Sequence, residues 1–334
     1  MRSGVGVDLG ASVIRVATAD DGILAREASL LAVDRTSARV LALGNAAEDA
    51  AKKNVNAIVM RPFSRGLLAR KNITKYVLSE VISALEAPLP AAVAVPCSFA
   101  RESAETLFSL MREAHFPSAT LVYSPVAAMI GCNISPDTDA VFVDIGASET
   151  GIILTIDGRI VFSDSIPIGG DQLDRAVIDF LFGKRGIRVA ATAAEQLKIR
   201  VGSAWIDGDD TAVRISGQNT ATGCEEVVTV FSSELMAAFE TTLTILIDHI
   251  CAAVRRVPLN RVESVFRNGI YLAGGGAALT GLDRLISALT GVHTTLVPQA
   301  ADVVALGLSR IAALDPFDPA DAALISRVSA YTFG

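Results

Sequence analysis

The chain has 334 residues, 51% of them hydrophobic and 19% charged, with a formal net charge of -7. That length suits about two domains, and the apolar content excludes global disorder. The negative balance argues against a broad nucleic-acid-binding surface and points to a metal-neutralised anion as the ligand.

In chain order, Val5–Val7, Val13–Ala17, Ala28–Val33 and Val40–Leu43 are β-branched or alternating runs separated by turn residues, and they are expected strands. Ala46–Lys53 is expected to be a short helix, followed by Ile58–Met60 and a basic segment from Arg61 to Lys71. Ile73, Tyr76, Val77, Val81, Ile82 and Leu85 recur at helical spacing. Ala91–Val95 reads as a strand, Arg101–Ala114 as an amphipathic helix, Thr120–Val122 as a strand and Val126–Cys132 as a small-residue helix. The uncharged stretch from Phe116 to Pro136 carries three prolines and polar residues, so it is not read as a membrane span.

The plan then repeats. Val141–Val143, Gly151–Ile156 and Arg159–Ile166 predict a meander, with Asp157-Gly158 as its hairpin turn. Asp171 is the expected N-cap of a helix over Leu173–Phe182. Ala191–Ser203 is a further helix, Thr211–Ser216 and Glu225–Phe231 a small sheet, and Ser232–Val254 a long helix. The strand Ile270–Leu272, the run Gly274-Gly275-Gly276 and a helix from about Leu279 to Leu289 follow. Cys97, Cys132, Cys224 and Cys251 form no Cys-x-x-Cys pair, the usage of reduced thiols in a cytosolic protein. His115, His249 and His293 are too scattered for a zinc site. The first strand begins by Val5, so neither a signal peptide nor an N-terminal amphipathic helix is expected.

The residues Val5-Gly6-Val7-Asp8-Leu9-Gly10-Ala11-Ser12 nearly recur as Val141-Phe142-Val143-Asp144-Ile145-Gly146-Ala147-Ser148. Each copy is a buried strand, an Asp, an aliphatic residue, a Gly and two small residues. One copy alone would be an ordinary hairpin. Two copies, each opening one half of the chain, predict a pair of turns whose backbone N–H groups clamp phosphates from both sides, since no bulky side chain intervenes. Asp8 and Asp144 at the strand ends suit the water shell of a Mg²⁺ ion.

On these residues the chain resembles the ATPase superfamily of actin, the heat-shock chaperones and the sugar kinases, and within it the bacterial actin family MreB/Mbl. Asp8-Leu9-Gly10 is similar to the first phosphate motif, Asp144-Ile145-Gly146 to the second, and Gly269 through Gly276 to the adenosine motif. Asn56–Gly66 with Arg61-Pro62, Ile168–Asp174 with Gly170-Asp171, Glu195–Ala204, Gly281–Leu285 and Val304–Gly307 also look like that family, in the same order. The resemblance runs from about residue 4 to about residue 313.

It implies an α/β actin-like ATPase fold, with two duplicated RNase H-like domains around a nucleotide cleft, each carrying a smaller peripheral subdomain. The first domain would span 1–140, with its subdomain at about 30–72, and the second 141–334, with its subdomain at about 187–255. The implied ligand is ATP or ADP with Mg²⁺. Its binding residues would be Asp8, Gly10, Ala11, Ser12, Asp144, Gly146, Ala147, Ser148, Gly169, Gly170, Asp171, Glu195, Lys198, Gly274, Gly275 and Gly276. Glu195 and Lys198 share a helix face and would flank the ribose and base; a solvated ion pair is the plainer account of them.

Two departures from the family pattern stand out. Ser124 occupies the place of a Glu that helps position the attacking water, and Ser is a poor base at neutral pH. Glu149 puts a carboxylate beside the second turn, where it can bind Mg²⁺, rescue base function or point away. The expected function is a cytoplasmic cytoskeletal protein that adds subunits head-to-tail and organises cell shape or cell-wall synthesis, with slow hydrolysis. A non-filamentous nucleotide-dependent adaptor of the FtsA or PilM type is the alternative. Expected partners are copies of itself and cell-wall or division proteins, with no nucleic acid. Contact with the inner face of the membrane would be weak or indirect, because the loop Glu86-Ala87-Pro88-Leu89-Pro90 offers one exposed Leu and Tyr331-Thr332-Phe333 only a small tail anchor.

Overall fold

The computed structural model describes residues 3–63, 71–208 and 210–331. Most of the basic segment, residues 64–70, and the tail residues 332–334 lie outside the described residues. Strands β1 (Val5–Leu9), β2 (Val13–Thr18) and β3 (Gly22–Ala28) form an antiparallel meander. A separate three-stranded sheet of β4 (Leu31–Asp34), β5 (Val40–Leu43) and β6 (Ala57–Met60) carries helix α1 (Ala46–Lys53). Then come α2 (Lys71–Ser83), β7 (Ala91–Val95), α3 (Arg101–Glu113), β8 (Ala119–Tyr123) and α4 (Ser124–Gly131).

The second half opens on another antiparallel meander, β9 (Ala140–Ile145), β10 (Thr150–Ile156) and β11 (Arg159–Ile166). Helix α5 (Gly170–Arg185) leads to β12 (Ile187–Arg188), α6 (Ala191–Val201), β13 (Ala212–Asn219), β14 (Glu225–Phe231) and α7 (Ser232–Val254). After α8 (Val262–Asn268) come β15 (Ile270–Ala273), α9 (Leu282–Thr290), β16 (Thr294–Leu296), α10 (Val303–Ala312), α11 (Pro319–Val328) and β17 (Ser329–Tyr331).

The two main sheets have one winding. The first runs β3-β2-β1-β7-β8 with β17 added at its edge, and the second runs β11-β10-β9-β15-β16. In each, a three-stranded meander is extended by two parallel strands: β7 and β8 beside β1, β15 and β16 beside β9. Beyond residue 303 the chain returns to the first sheet. Helix α10 packs on β1 and β7, and β17 pairs antiparallel with β8, a return that dividing the chain at residue 140 does not contain.

Each main sheet has its own core. Val5, Val93, Leu107 and Leu121 sit in the first, and Val143, Leu154, Phe239 and Leu272 in the second. Helix α7 is 23 residues long and apolar, and it buries Leu235, Phe239, Leu243, Leu246, Ile247 and Ile250 in that second core. A third core joins the sheets. It brings Val122 and Val126 together with Phe142, Ile153, Val304 and Leu308. Here α4 crosses α10 at backbone contact. A Cβ added to Gly307 would lie 1.8 Å from the Ala127 carbonyl oxygen, and one at Gly131 would lie 2.0 Å from that of Val303. Only hydrogen fits at either place. Arg310 on α10 then donates Nη1–H bonds to the carbonyl oxygens of Ile130 and Gly131, each at 2.8 Å, satisfying acceptors at the end of α4.

Three expectations change, and one helix carried no expectation. The run Ala28–Val33 is not one strand: it breaks at Ser29, whose N–H donates to Ser12 O at 2.8 Å, and β4 departs for the small sheet. Asp171 does not cap α5. The helix starts at Gly170, and the Gly169 N–H is taken by Gln172 Oε1 at 2.8 Å. Leu89 is not a free apolar tip, since it packs against the first core. Helix α10 gave no amphipathic signal because Val303, Val304, Ala305, Leu308, Ser309, Ile311 and Ala312 are all buried, leaving no polar face to mark a period.

The crossing predicts a contrast between two Gly→Ala changes. Gly307→Ala overpacks the α4–α10 contact and should lose about 2 kcal/mol or more in urea unfolding. Gly183→Ala, on an α5 surface with nothing within 4 Å of its added Cβ, should gain about 0.5–1 kcal/mol from helix propensity. Equal stabilities for the two variants would refute the role given to the crossing.

Candidate functional site

The cleft between the halves holds a cavity of about 370 Å³, and both glycine turns open into it. The turns are built alike. Leu9 pairs with Ile14 across the first and Ile145 with Thr150 across the second, leaving four turn residues in each. At Gly10 an added Cβ would sit 2.4 Å from Val13 O, and at Gly146 it would sit 2.9 Å from Glu149 O, the acceptor of the Gly146 N–H. Tight hairpins of this kind present backbone rather than side chains to the cavity.

Asp8, Gly10, Ala11, Ser12, Ser124, Asp144, Gly146, Ala147, Ser148, Glu149, Gly170, Asp171, Glu195, Lys198, Gly274, Gly275 and Gly276 all line this one cavity. Gly169 does not reach it. Gly169 lies behind the second turn, where a Cβ would be 2.5 Å from Gly146 O. The first N–H groups of α5 are likewise engaged there, Gly170 N donating to Gly146 O at 3.0 Å and Asp171 N to Ala147 O at 2.7 Å. Thus α5 braces the second turn. Gly274 and Gly276 brace it from the other side: Cβ atoms there would come within 2.3 Å of Ile145 O and 2.5 Å of Ile145 Cγ2.

Asp8 and Asp144 occupy equivalent strand ends. Burial, and then the charges of Asp144 and Asp302, push the Asp8 carboxyl up to about 7, against the pull of Arg15. Burial raises Asp144 as well, while the Ser124 hydroxyl donates to it and Arg15 draws it down. Ser124 is therefore committed to Asp144.

Several partners were not legible from motifs. Arg15 stands opposite Asp8 in the β1–β2 register, with its Nη1 3.8 Å from Asp8 Oδ2 and its Nε 3.0 Å from Asp302 Oδ1. Arg26 grips the same Asp302 through Nε at 3.0 Å and Nη2 at 2.7 Å. The first turn is thereby tied to the start of α10. Hairpin register could have found Arg15; Asp302 comes from the other end of the chain. Lys198 pairs with Asp174 at 2.8 Å and donates to Gly170 O at 3.3 Å, so its ion pair is not with Glu195. Arg61, beyond β6, donates to both oxygens of Asp171 at 2.7 and 2.8 Å, a link from the first half to the second.

Among the described residues, the lining carries six carboxylates, Asp8, Asp144, Glu149, Asp171, Asp174 and Glu195, against two cations, Arg15 and Lys198. A polyanion entering such a wall needs a divalent cation. The buried pair Asp8 and Asp144 fits one, because both carboxyls are held above their ordinary range by desolvation that a cation would offset.

Two sheets of one winding, turning equivalent hairpins into a shared cleft, define the actin-like class of α/β proteins. MreB 5 of Spiroplasma citri bound to AMPPNP matches with a TM-score of 0.86 at 21% identity, over 98% of both chains. The MamK double helical filament matches with a TM-score of 0.79 at 17% identity, over 93% of this chain and 99% of that one. The cell shape-determining protein MreB of Escherichia coli strain K12 is 27% identical over 314 residues, 90% of each chain. The cell shape-determining protein Mbl of Bacillus subtilis strain 168 is 25% identical over 311 residues, 91% of this chain and 93% of that one. Residues 2–315 match the family described as MreB/Mbl protein. The chain belongs to that family, and by family it is an actin-like cytoskeletal protein.

The raised Asp8 has a measurable consequence. A carboxyl that is protonated more readily in the folded than in the unfolded chain lends stability below its ordinary value near 4, and that stability is lost as pH rises through about 7. With metal chelated, Asp8→Asn should raise the thermal midpoint at pH 8 and leave it near wild type at pH 4. A lower midpoint for the variant at pH 8 would count against this account.

Proposed function

We propose that this protein binds ATP or ADP with Mg²⁺ in the interdomain cavity and assembles head-to-tail into filaments that organise cell shape or cell-wall synthesis, with slow hydrolysis. The observation that carries this reading is the pair of equivalent four-residue turns facing one acid-rich cavity. Ala11, Ser12, Ala147 and Ser148 would offer backbone N–H groups to the phosphates, and Gly274, Gly275 and Gly276 would face the adenosine side. Glu195 and Lys198 would flank the ribose and base. Asp8 and Asp144 would hold Mg²⁺ through its water shell, and the ion would neutralise phosphate charge against the carboxylate-rich wall. The relatives support the reading: MreB 5 of Spiroplasma citri is known bound to ADP and to AMPPNP, and MamK as a double helical filament. A heterologous interface that does not close gives an open polymer. The protein would act in the cytoplasm, reaching the inner face of the membrane through cell-wall or division partners.

Sedimentation and electron microscopy with and without ATP and Mg²⁺ test this directly. Filaments that pellet only with nucleotide are expected. Nucleotide binding without pelleting would instead favour the adaptor alternative. Replacing Asp8 or Asp144 by Ala should weaken metal-dependent binding strongly in calorimetry, and unchanged affinity in both variants would sink the site assignment.

Slow turnover relative to a chain with a carboxylate at this place follows from Ser124, which leaves α4 without an acidic group for the attacking water. Its hydroxyl is engaged by Asp144, whereas a positioned carboxylate contributes roughly 10²–10⁴-fold to proton transfer. Ser124→Glu should therefore raise phosphate release at saturating ATP by about tenfold or more. Wild-type turnover as fast as that of E. coli MreB would show the premise to be wrong.

A further inference from the structure

Of the carboxylates at the two turns, Asp8 and Asp144 both feel Arg15, and Asp144 also accepts from Ser124. Glu149 is placed differently. Among the described residues it has no cationic partner. Its Oε1 accepts a hydrogen bond from the Ser165 hydroxyl, which leaves Oε2 without a hydrogen bond among those residues. Glu149 lines the cavity, as does Gly151 two residues on, and Gly151 pairs with Ser165 in the β10–β11 register. The start of α4 sits directly over Gly151, where an added Cβ would lie 3.0 Å from Pro125 Cγ and 3.5 Å from Ser124 Oγ.

Close to Glu149 is Cys97, in the segment after β7 and packed against the core that joins the sheets. Its thiol is pushed up to about 12 by burial and by the charges of Glu149, Asp144 and Asp164, so it stays neutral. Glu149 is thus a carboxylate at the junction of the halves, beside the second turn, with one oxygen fixed by a serine and the other available to an uncharged donor. Water is such a donor. Burial and the nearby Asp144 charge raise its proton affinity above that of an ordinary Glu.

We propose that Glu149 is the group that orients the attacking water and accepts its proton when a nucleoside triphosphate is hydrolysed in this cavity. This rests on the nucleotide reading given above. The water oxygen forms a bond to the terminal phosphorus. The bond from that phosphorus to the bridging oxygen breaks, and its electron pair leaves with the diphosphate. One proton of the water passes to Glu149 and on to solvent, and inorganic phosphate is released. Ser165 fixes the carboxylate in place, and the α4 serine supplies no base.

The test uses the full chain carrying Glu149→Gln, Glu149→Asp or neither. Three readouts are taken: affinity for a fluorescent ATP analogue, the Mg²⁺ concentration giving half-maximal binding, and single-turnover phosphate release. Chromatography of the nucleotide retained after incubation with ATP adds a readout independent of rate. Glu149→Gln should bind the analogue within about twofold of wild type, release phosphate about 10²-fold more slowly and retain ATP rather than ADP. Glu149→Asp should recover part of the rate. Release by Glu149→Gln within threefold of wild type would overturn the proposal. So would a tenfold rise in the Mg²⁺ requirement that accounts for the lost rate, since Glu149 would then be a metal ligand. If the wild-type chain binds the analogue but releases no phosphate, this inference alone fails. If it does not bind, the nucleotide reading fails first.

Discussion

The crossing of α4 and α10 sets the distance between the two halves of this molecule. Two helices touching through Gly131 and Gly307 cannot separate or slide without opening a void or driving carbonyl oxygens into Cβ atoms. The cores on either side lean on that contact through Val126, Phe142, Ile153 and Leu308. The turn after β1 and the turn after β9 therefore face each other across a fixed gap. α4 starts directly at the second turn, and α10 starts at Asp302, which Arg15 and Arg26 tie to the first hairpin. One packing contact thus governs both walls of the cavity.

The cavity is built to be incomplete on its own. Among the described residues, six lining carboxylates outnumber two cations, and Asp8 and Asp144 are held above the ordinary carboxylate range by their own burial. Charge left uncompensated in a desolvated place destabilises the empty fold and favours whatever neutralises it. The link across the cleft, Arg61 with Asp171, adds to the coupling between the halves, and Arg15 with Asp302 ties the start of α10 to the first hairpin.

The duplication also makes the differences informative. Asp8 is opposite Arg15 in the first hairpin, and Asp144 is opposite Gly151 in the second. Where the first hairpin places a cation, the second places nothing, and α4 descends into that space. Ser124 then meets Asp144, and the next carboxylate along the turn, Glu149, is left facing the cavity with a serine for support. Two halves with one architecture have thereby acquired unlike chemistry.

The sequence by itself determined the second meander, the doubled turn and most of the motif residues that line the cavity, because hairpins and phosphate-type turns are local: strand periodicity, Asp and Gly spacing suffice to place them. Asp8, Asp144 and the run Gly274-Gly275-Gly276 are legible for that reason. Register and returns were decided only by tertiary structure. Nothing local says that Ser29 breaks a strand to reach Ser12, that Lys198 turns to Asp174 rather than Glu195, or that Asp302 meets Arg15 from the far end of the chain. Helix α10 is buried all round and so carries no period to read, and β17 is three residues whose place is set by the free edge of β8. Partners distant in sequence are chosen by packing and charge once the sheets have formed, and that choice leaves no mark on spacing.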